Sequence, residues 1–178
     1  MRNNTIFFHQ YVSKEDRSNL EPFLYRLLKP FEKHRHDAVM ELMNSQAKEQ
    51  ILDIGCGSGN FLLQNRHNWV HATGIDVVPE LIQQAKEKSD PKLFTFLTHD
   101  SSNKTLPFKN DSFTIVTCIA TLQYIENLDL LFSEVARVLK KNGIFIFEVP
   151  NFLVFWRRIE LLFGIYPHTS SFHSGWDG

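Results

Sequence analysis

The stretch ILDIGCGSGNF, residues 51–61, decides how this chain is read. Ile51 to Ile54 form an apolar run interrupted by one acid, Asp53. Gly55, Gly57 and Gly59 then fall at every second position. Glycine tolerates positive φ and lets a ligand come close to the backbone. A strand that ends in this way suits a nucleotide-like cofactor. A dinucleotide fingerprint would run G-x-G-x-x-G, but its third glycine, counted from Gly55, falls on Asn60. With Asp53 also inside the strand end, the spacing argues against a pyrophosphate on the helix N-terminus, and so against a nicotinamide oxidoreductase.

Outward from this loop, strand and helix patterns alternate. QILDI (50–54), HATGID (71–76), KLFTFLTHD (92–100), FTIVTCIA (113–120) and IFIFEVP (144–150) read as strands. Residues 59–67, PELIQQAKEK (79–88) and LDLLFSEVARVLKKNG (128–143) read as helices. In the last of these, Leu128, Leu131, Phe132, Val135 and Leu139 share one side. Lys140 and Lys141 complement its C-terminal dipole, and Gly143 stops it. Alternation of this kind predicts a Rossmann-like α/β fold in three layers, α/β/α, around a mainly parallel sheet. Ligands in such folds bind beyond the carboxyl ends of the strands, at the switch point. Asp76 ends the second strand about 20 residues after the glycine loop, where an acid can take two ribose hydroxyls. The plainer alternative is a turn cluster followed by a helix-capping Asp.

The flanks differ from this core. Residues 1–46 read as an N-terminal helical cap: Ser13 and Asp16 give a capping-box-like start, and Leu20, Phe23, Leu24, Leu27 and Leu28 fall on one face. Pro30 breaks that helix, and a second one brings Ala38, Val39, Leu42 and Met43 together. Residues 47–151 form the cofactor-binding core. Residues 152–178 read as a C-terminal helix, with Phe155, Trp156, Ile159, Leu162 and Phe163 on one face, followed by a loop. Only five strands precede the end of the chain, which suggests truncation.

Composition narrows the class. The 178 residues suit one domain with a real core, and the net charge of −1 gives no general basic footprint for nucleic acid. Cys56 and Cys118 lie far apart without metal-ligand spacing, so no metal is expected and a reducing, cytoplasmic compartment is. No stretch reaches the ~18 apolar residues of a membrane span.

Taken jointly, several segments resemble the class I S-adenosylmethionine-dependent methyltransferases. ILDIGCGSGNF looks like their motif I, and GIDVVPELIQQAKEK like their second-strand acidic motif. LTHDSSNKTLPFKNDSFTIVTCIATLQYIEN resembles the adenine-contacting and fourth-strand segments, and EVARVLKKNGIFIFEVPN the fifth-strand region. The resemblance implies strand order 3-2-1-4-5, with the family's C-terminal strand pair missing here. It implies that Gly55, Gly57 and Gly59, with Cys56 between them, lie against the methionine part of S-adenosylmethionine, and that Asp53 holds its ammonium group. Asp76 would bind the ribose diol with Val77 against the adenine. Asp100 would accept from the adenine amino group beside Ser101, and Ile119 and Ala120 would line the floor. Asp100 also reads as a loop cap. Where many members carry Phe-Asp, this chain has Phe113–Thr114, a change read as structural.

The implied activity is methyl transfer to a small-molecule acceptor, with S-adenosylhomocysteine as product. Candidates for a base are His9, Tyr11, Tyr124, His168 and His173, of which Tyr124 follows the fourth strand. TLQYIENL and VPNFLVFWRRIELLFG also look like MetW-type proteins of methionine biosynthesis. That likeness implies the alternative of a non-catalytic S-adenosylmethionine-binding partner of a homoserine acyltransferase. The oligomeric state is not legible.

Overall fold

The computed structural model describes residues 37–43 and 50–149. Most of the N-terminal cap and the whole C-terminal segment, with His9, Tyr11, His168 and His173, lie outside the described residues. Within them, β1 (Gln50–Ile54), β2 (His71–Asp76), β3 (Phe94–Thr98), β4 (Phe113–Cys118) and β5 (Leu139–Phe147) form one sheet of order β3-β2-β1-β4-β5. Every pairing is parallel. The order expected from the resemblance is the order observed.

Strand alternation divides the core in two. On one face, Ile51, Ala72, Phe94, Phe96 and Ile115 pack with α1 (Asn60–Gln64) and α2 (Pro79–Glu87) through Phe61, Leu62, Ile82 and Ala85. Val39, from a helical segment at residues 37–42, and Met43, in the turn that closes it, join this layer. Ala38 and Leu42, expected to share that buried face, are exposed instead. The i,i+4 pair Val39 and Met43 is buried and Met40 packs partly against the same cluster, because a helix resting on a sheet at this point buries one stripe. On the other face, Leu52, Ile54, Ile75 and Val116 pack with Leu131, Val135 and Val138 of α3 (Leu128–Val138). Burying side chains of this size is worth about 1.5–3 kcal/mol each, which holds the helices on the sheet.

The helix expected over 128–143 ends at Val138, and Leu139 already pairs with Phe113 as the first residue of β5. Lys140, Lys141 and Gly143 therefore belong to β5 and not to a helix C-terminus. The register jumps from Phe113↔Leu139 to Ile115↔Ile144, and the surplus residues bulge out with Asn142 at φ 65°. The orphan carbonyls of the last helical turn explain the early stop: Asp111 N donates to Arg137 O and Ser112 N to Val138 O. The buried stripe of α3 is Leu131, Glu134, Val135 and Val138, while Leu128 and Phe132 are exposed. The helix read over 59–67 stops at Gln64, where Asn65 Nδ2 donates back to Phe61 O. Thr114 donates to Gln50 O at 2.9 Å, a structural tie across β1 and β4.

Candidate functional site

The strands are added outward in one direction from β1 to β3 and in the other from β4 to β5, so the switch point lies over the carboxyl ends of the parallel neighbours β1 and β4. The loops that leave β1, β2, β3 and β4 are tied to one another there. Gly55 N and Cys56 N both donate to Ile75 O of β2, at 2.8 and 3.0 Å. Gly57 N donates to Asp76 Oδ2 at 2.8 Å, while Val78 N donates to Asp76 Oδ1 at 2.9 Å. His99 N donates to Asp76 O at 2.8 Å, bringing the β3 loop to the end of β2. Although β3 and β4 are not neighbours in the sheet, Ser102 Oγ approaches Tyr124 O at 3.5 Å and accepts from Glu126 N at 3.4 Å. The β3 loop thus arches over the ends of β2 and β1 to reach the loop after β4.

The three loop glycines have different tasks. Gly55 backs onto Thr121, and Gly59 backs onto Phe96 and Ala85, so neither could carry a side chain without displacing a neighbour. Gly57 has φ 54°, and a methyl group there would meet nothing nearer than Leu81 Cδ1 at 4.0 Å. Its open side is the place where a ligand can lie against the backbone. The Cys56 side chain turns into the core, since a Cβ on Gly74 would come within 2.7 Å of its Sγ. Burial pushes its thiol well up, and that of Cys118 up to about 12, so neither offers a thiolate.

Two carboxylates lie at the carboxyl ends of β1 and β2, beside this loop. Asp53 lies directly opposite Thr117 in the β1–β4 register and accepts from its hydroxyl at 2.7 Å. It is 3% exposed and has no cationic partner among the described residues. Burial pushes its carboxyl up to about 7; the Thr117 hydroxyl opposes this and the charge of Asp76 adds to it. Burial also raises Asp76, against the pull of its bonds from Val78 and Gly57. Each Asp76 oxygen accepts one of these two bonds. A carboxylate offers about four lone-pair sites, so acceptor capacity remains beyond the bonds from Gly57, Val77 and Val78.

Val77 is half-buried between Asp76 and the start of α2. Asp100 accepts from Ser102 N at 3.0 Å, the loop-capping role, and Ser101 beside it is buried. Ile119 and Ala120 lie beyond the end of β4 and are half-buried, Ala120 at φ 54°. Tyr124 closes a 3₁₀ turn, Leu122–Tyr124, at the same edge. Sequence reasoning missed Thr117, Thr121, Ser102 and His99. His99 Nε2 is buried without a partner among the described residues, and burial lowers its basicity. The signal for Thr117 was present, because a Thr opposite an acidic residue in a parallel pair can reach it, but the register had to be known.

These features fit the cofactor implied by the sequence: an open backbone at Gly57, a buried carboxylate suited to a cation, and a second carboxylate with free acceptor capacity. The described residues contain no cluster of His, Cys, Asp and Glu that could hold a metal, and no helix long and apolar enough to cross a membrane.

Comparison with known proteins gives the class. Residues 52–147, more than half of the chain, match the methyltransferase domain family, and the chain belongs to it. S-adenosylmethionine is the methyl donor that this family implies. The chain is 29% identical over 136 residues to a demethylmenaquinone methyltransferase of Tropheryma whipplei, covering 76% of this chain and 54% of that one. The crystal structure of YcgJ from Bacillus subtilis superposes with a TM-score of 0.58 at 28% identity, over 64% of this chain and 50% of that one. A Thermotoga maritima structure described as an S-adenosylmethionine-dependent methyltransferase superposes with a TM-score of 0.65 over 87% of this chain and 66% of that one; at 20% identity it speaks to the fold alone. The chain spans about half the length of the curated relatives it matches first.

Proposed function

We propose that the protein binds S-adenosylmethionine over the ends of β1, β2 and β4 and transfers its methyl group to a small-molecule acceptor. The observation that carries this reading is Gly57, an open backbone position whose N–H is held by the half-buried Asp76, on the loop that leaves the strand of the buried Asp53. When bound, the cofactor supplies an electrophilic methyl on a sulfonium. The chain's part is to bind, orient and keep water out. Asp53 takes the ammonium group, Asp76 the ribose diol and Asp100 the adenine amino group. Val77, Ser101, Ile119 and Ala120 border the site. Tyr124, at the edge of the fourth-strand loop, is the group within the described residues best placed to face an acceptor.

The acceptor is read as small and apolar. Phe and Trp residues concentrated towards the C-terminus support this, as does a relative named for a quinone substrate. Nothing in the geometry or in the relatives above favours the MetW-type alternative, and its P-N-F…W-R segment lies outside the described residues.

Calorimetric titration with S-adenosylmethionine and, separately, S-adenosylhomocysteine tests the cofactor site. Micromolar binding of both is expected. Asp76→Asn keeps an acceptor for only one of Gly57 N and Val78 N, which bond to different oxygens, and should weaken binding by about 1–3 kcal/mol. Unchanged affinity in that variant would remove the ribose assignment. Transfer of a labelled methyl group to a panel of apolar quinols and phenols then tests the acceptor class; label staying in the donor throughout counts against it.

A further inference from the structure

Gly55 and Thr121 stand on opposite sides of the switch point, one after β1 and the other after β4. A methyl group on Gly55 would lie 2.1 Å from Thr121 Oγ1 and 2.3 Å from its Cγ2. Thr121 thus fills the volume that any other residue at position 55 would claim. Its hydroxyl donates to Ile119 O at 3.1 Å, with Gly55 O at 3.3 Å as a second acceptor. Its own carbonyl accepts from Tyr124 N at 2.9 Å.

The segment that carries Thr121 is held in a strained shape. Ala120 has φ 54°, a left-handed conformation unfavourable for any residue with a Cβ. Gln123 Nε2 donates to Ala120 O at 2.9 Å and fixes it there. Strain of this kind persists only where surrounding bonds over-determine it, and it gathers where geometry must be set in advance. Residues 119–124 therefore form a stiff strap, and the Thr121 side chain reaches the glycine loop by both shape and hydrogen bonding.

We propose that Thr121 is a positioning residue that locks this strap to the glycine loop across the switch point, so that the two walls of the site move as one body. The proposal rests on the reading that residues 53–59 and 119–121 border the cofactor. A side chain that merely filled space would alter stability in proportion to its volume. A lock alters ligand affinity through its hydroxyl and couples specifically to Gly55.

The test measures S-adenosylhomocysteine affinity by calorimetry, and melting temperature, for the full chain and five variants. Thr121→Ser keeps the hydroxyl and should bind within about threefold of the parent. Thr121→Val keeps the volume but removes the donor; its affinity should fall about five- to tenfold, the scale of one hydrogen bond, while its melting temperature stays within about 4 °C. Gly55→Ala should lose most binding. Combined with Thr121→Gly it should regain at least about tenfold over Gly55→Ala alone, a non-additive coupling, whereas Thr121→Gly by itself weakens binding. A parent that binds, with Thr121→Val equal to it and the double variant showing the sum of its two losses, overturns the lock and leaves the proposed function standing. A parent that does not bind S-adenosylhomocysteine overturns both.

Discussion

Asp53 makes the affinity for the cofactor depend on pH in a way that can be worked out in advance. In the free protein its carboxyl is pushed up to about 7, because it is buried opposite Thr117 with Asp76 nearby. An ammonium group is attracted only by the carboxylate form. Below pH 7 the free protein must therefore give up a proton to bind, and the apparent Kd rises by a factor of 1 + 10^(7−pH), about elevenfold at pH 6 and about a hundredfold at pH 5. Asp76, also raised by burial, adds to this in the same direction. The buried thiols Cys56 and Cys118 stay protonated throughout the range. The ligand's amino group stays charged below about pH 7.7, so the dependence belongs to the protein. The assay is calorimetric titration with S-adenosylhomocysteine from pH 5 to 7.5, repeated in buffers of different ionisation enthalpy to count released protons. Thr117→Val removes the hydroxyl that holds Asp53 down, and should move the whole profile to higher pH. Constant affinity from pH 5 to 7.5, with no proton released, would refute the placement of Asp53 against the ligand's cation.

Other outcomes follow from the same contacts. Because the folded-state value for Asp53 is raised, free-protein stability should be highest below pH 4 for this group and fall as pH rises to 7, by about 4 kcal/mol in all for a change from about 3.9 to about 7. Asp53→Asn should remove that slope in chemical denaturation, stabilise the free protein at pH 8 by roughly 1–4 kcal/mol, and lose cofactor binding. Gly59→Ala would press its methyl against Phe96 and Ala85 and should destabilise by about 1–3 kcal/mol. Gly57→Val, with open space around it, should lose binding while a cooperative melt survives. Arg137 bonds to Glu134 through two nitrogens, at 2.8 and 2.6 Å, and also to the carbonyls of Leu106 and Phe108. Arg137→Ala should cost about 1–2 kcal/mol by thermal melting. Its partnership lowers Glu134, so this stabilisation is present above the ordinary Glu value of about 4.3 and is lost as pH falls below it; the variant should lack that acid-side loss.

Much of this protein was legible from local patterns. The ends of QILDI and HATGID were read to the residue, because a strand buried on both faces is a continuous apolar run closed by a glycine or an acid. The glycine loop, Asp53 and Asp76 were visible because each chemistry needs its residue type at one spacing along the chain. What could not be read depends on contacts between distant segments. The three glycines look alike in sequence, and only packing against Thr121 and Phe96 separates two spacing glycines from the one open at Gly57. Helix α3 ends at Val138 even though its pattern continues, because Phe113 pairs with Leu139, far away in the chain. The raised Asp53 and its Thr117 partner, 64 residues apart, are products of strand register. Local sequence chooses which conformations are cheap and which chemistry is available. Burial and pairing energies arise only when the elements meet, so they alone decide which glycine is open, where a helix stops and which carboxylate holds its proton.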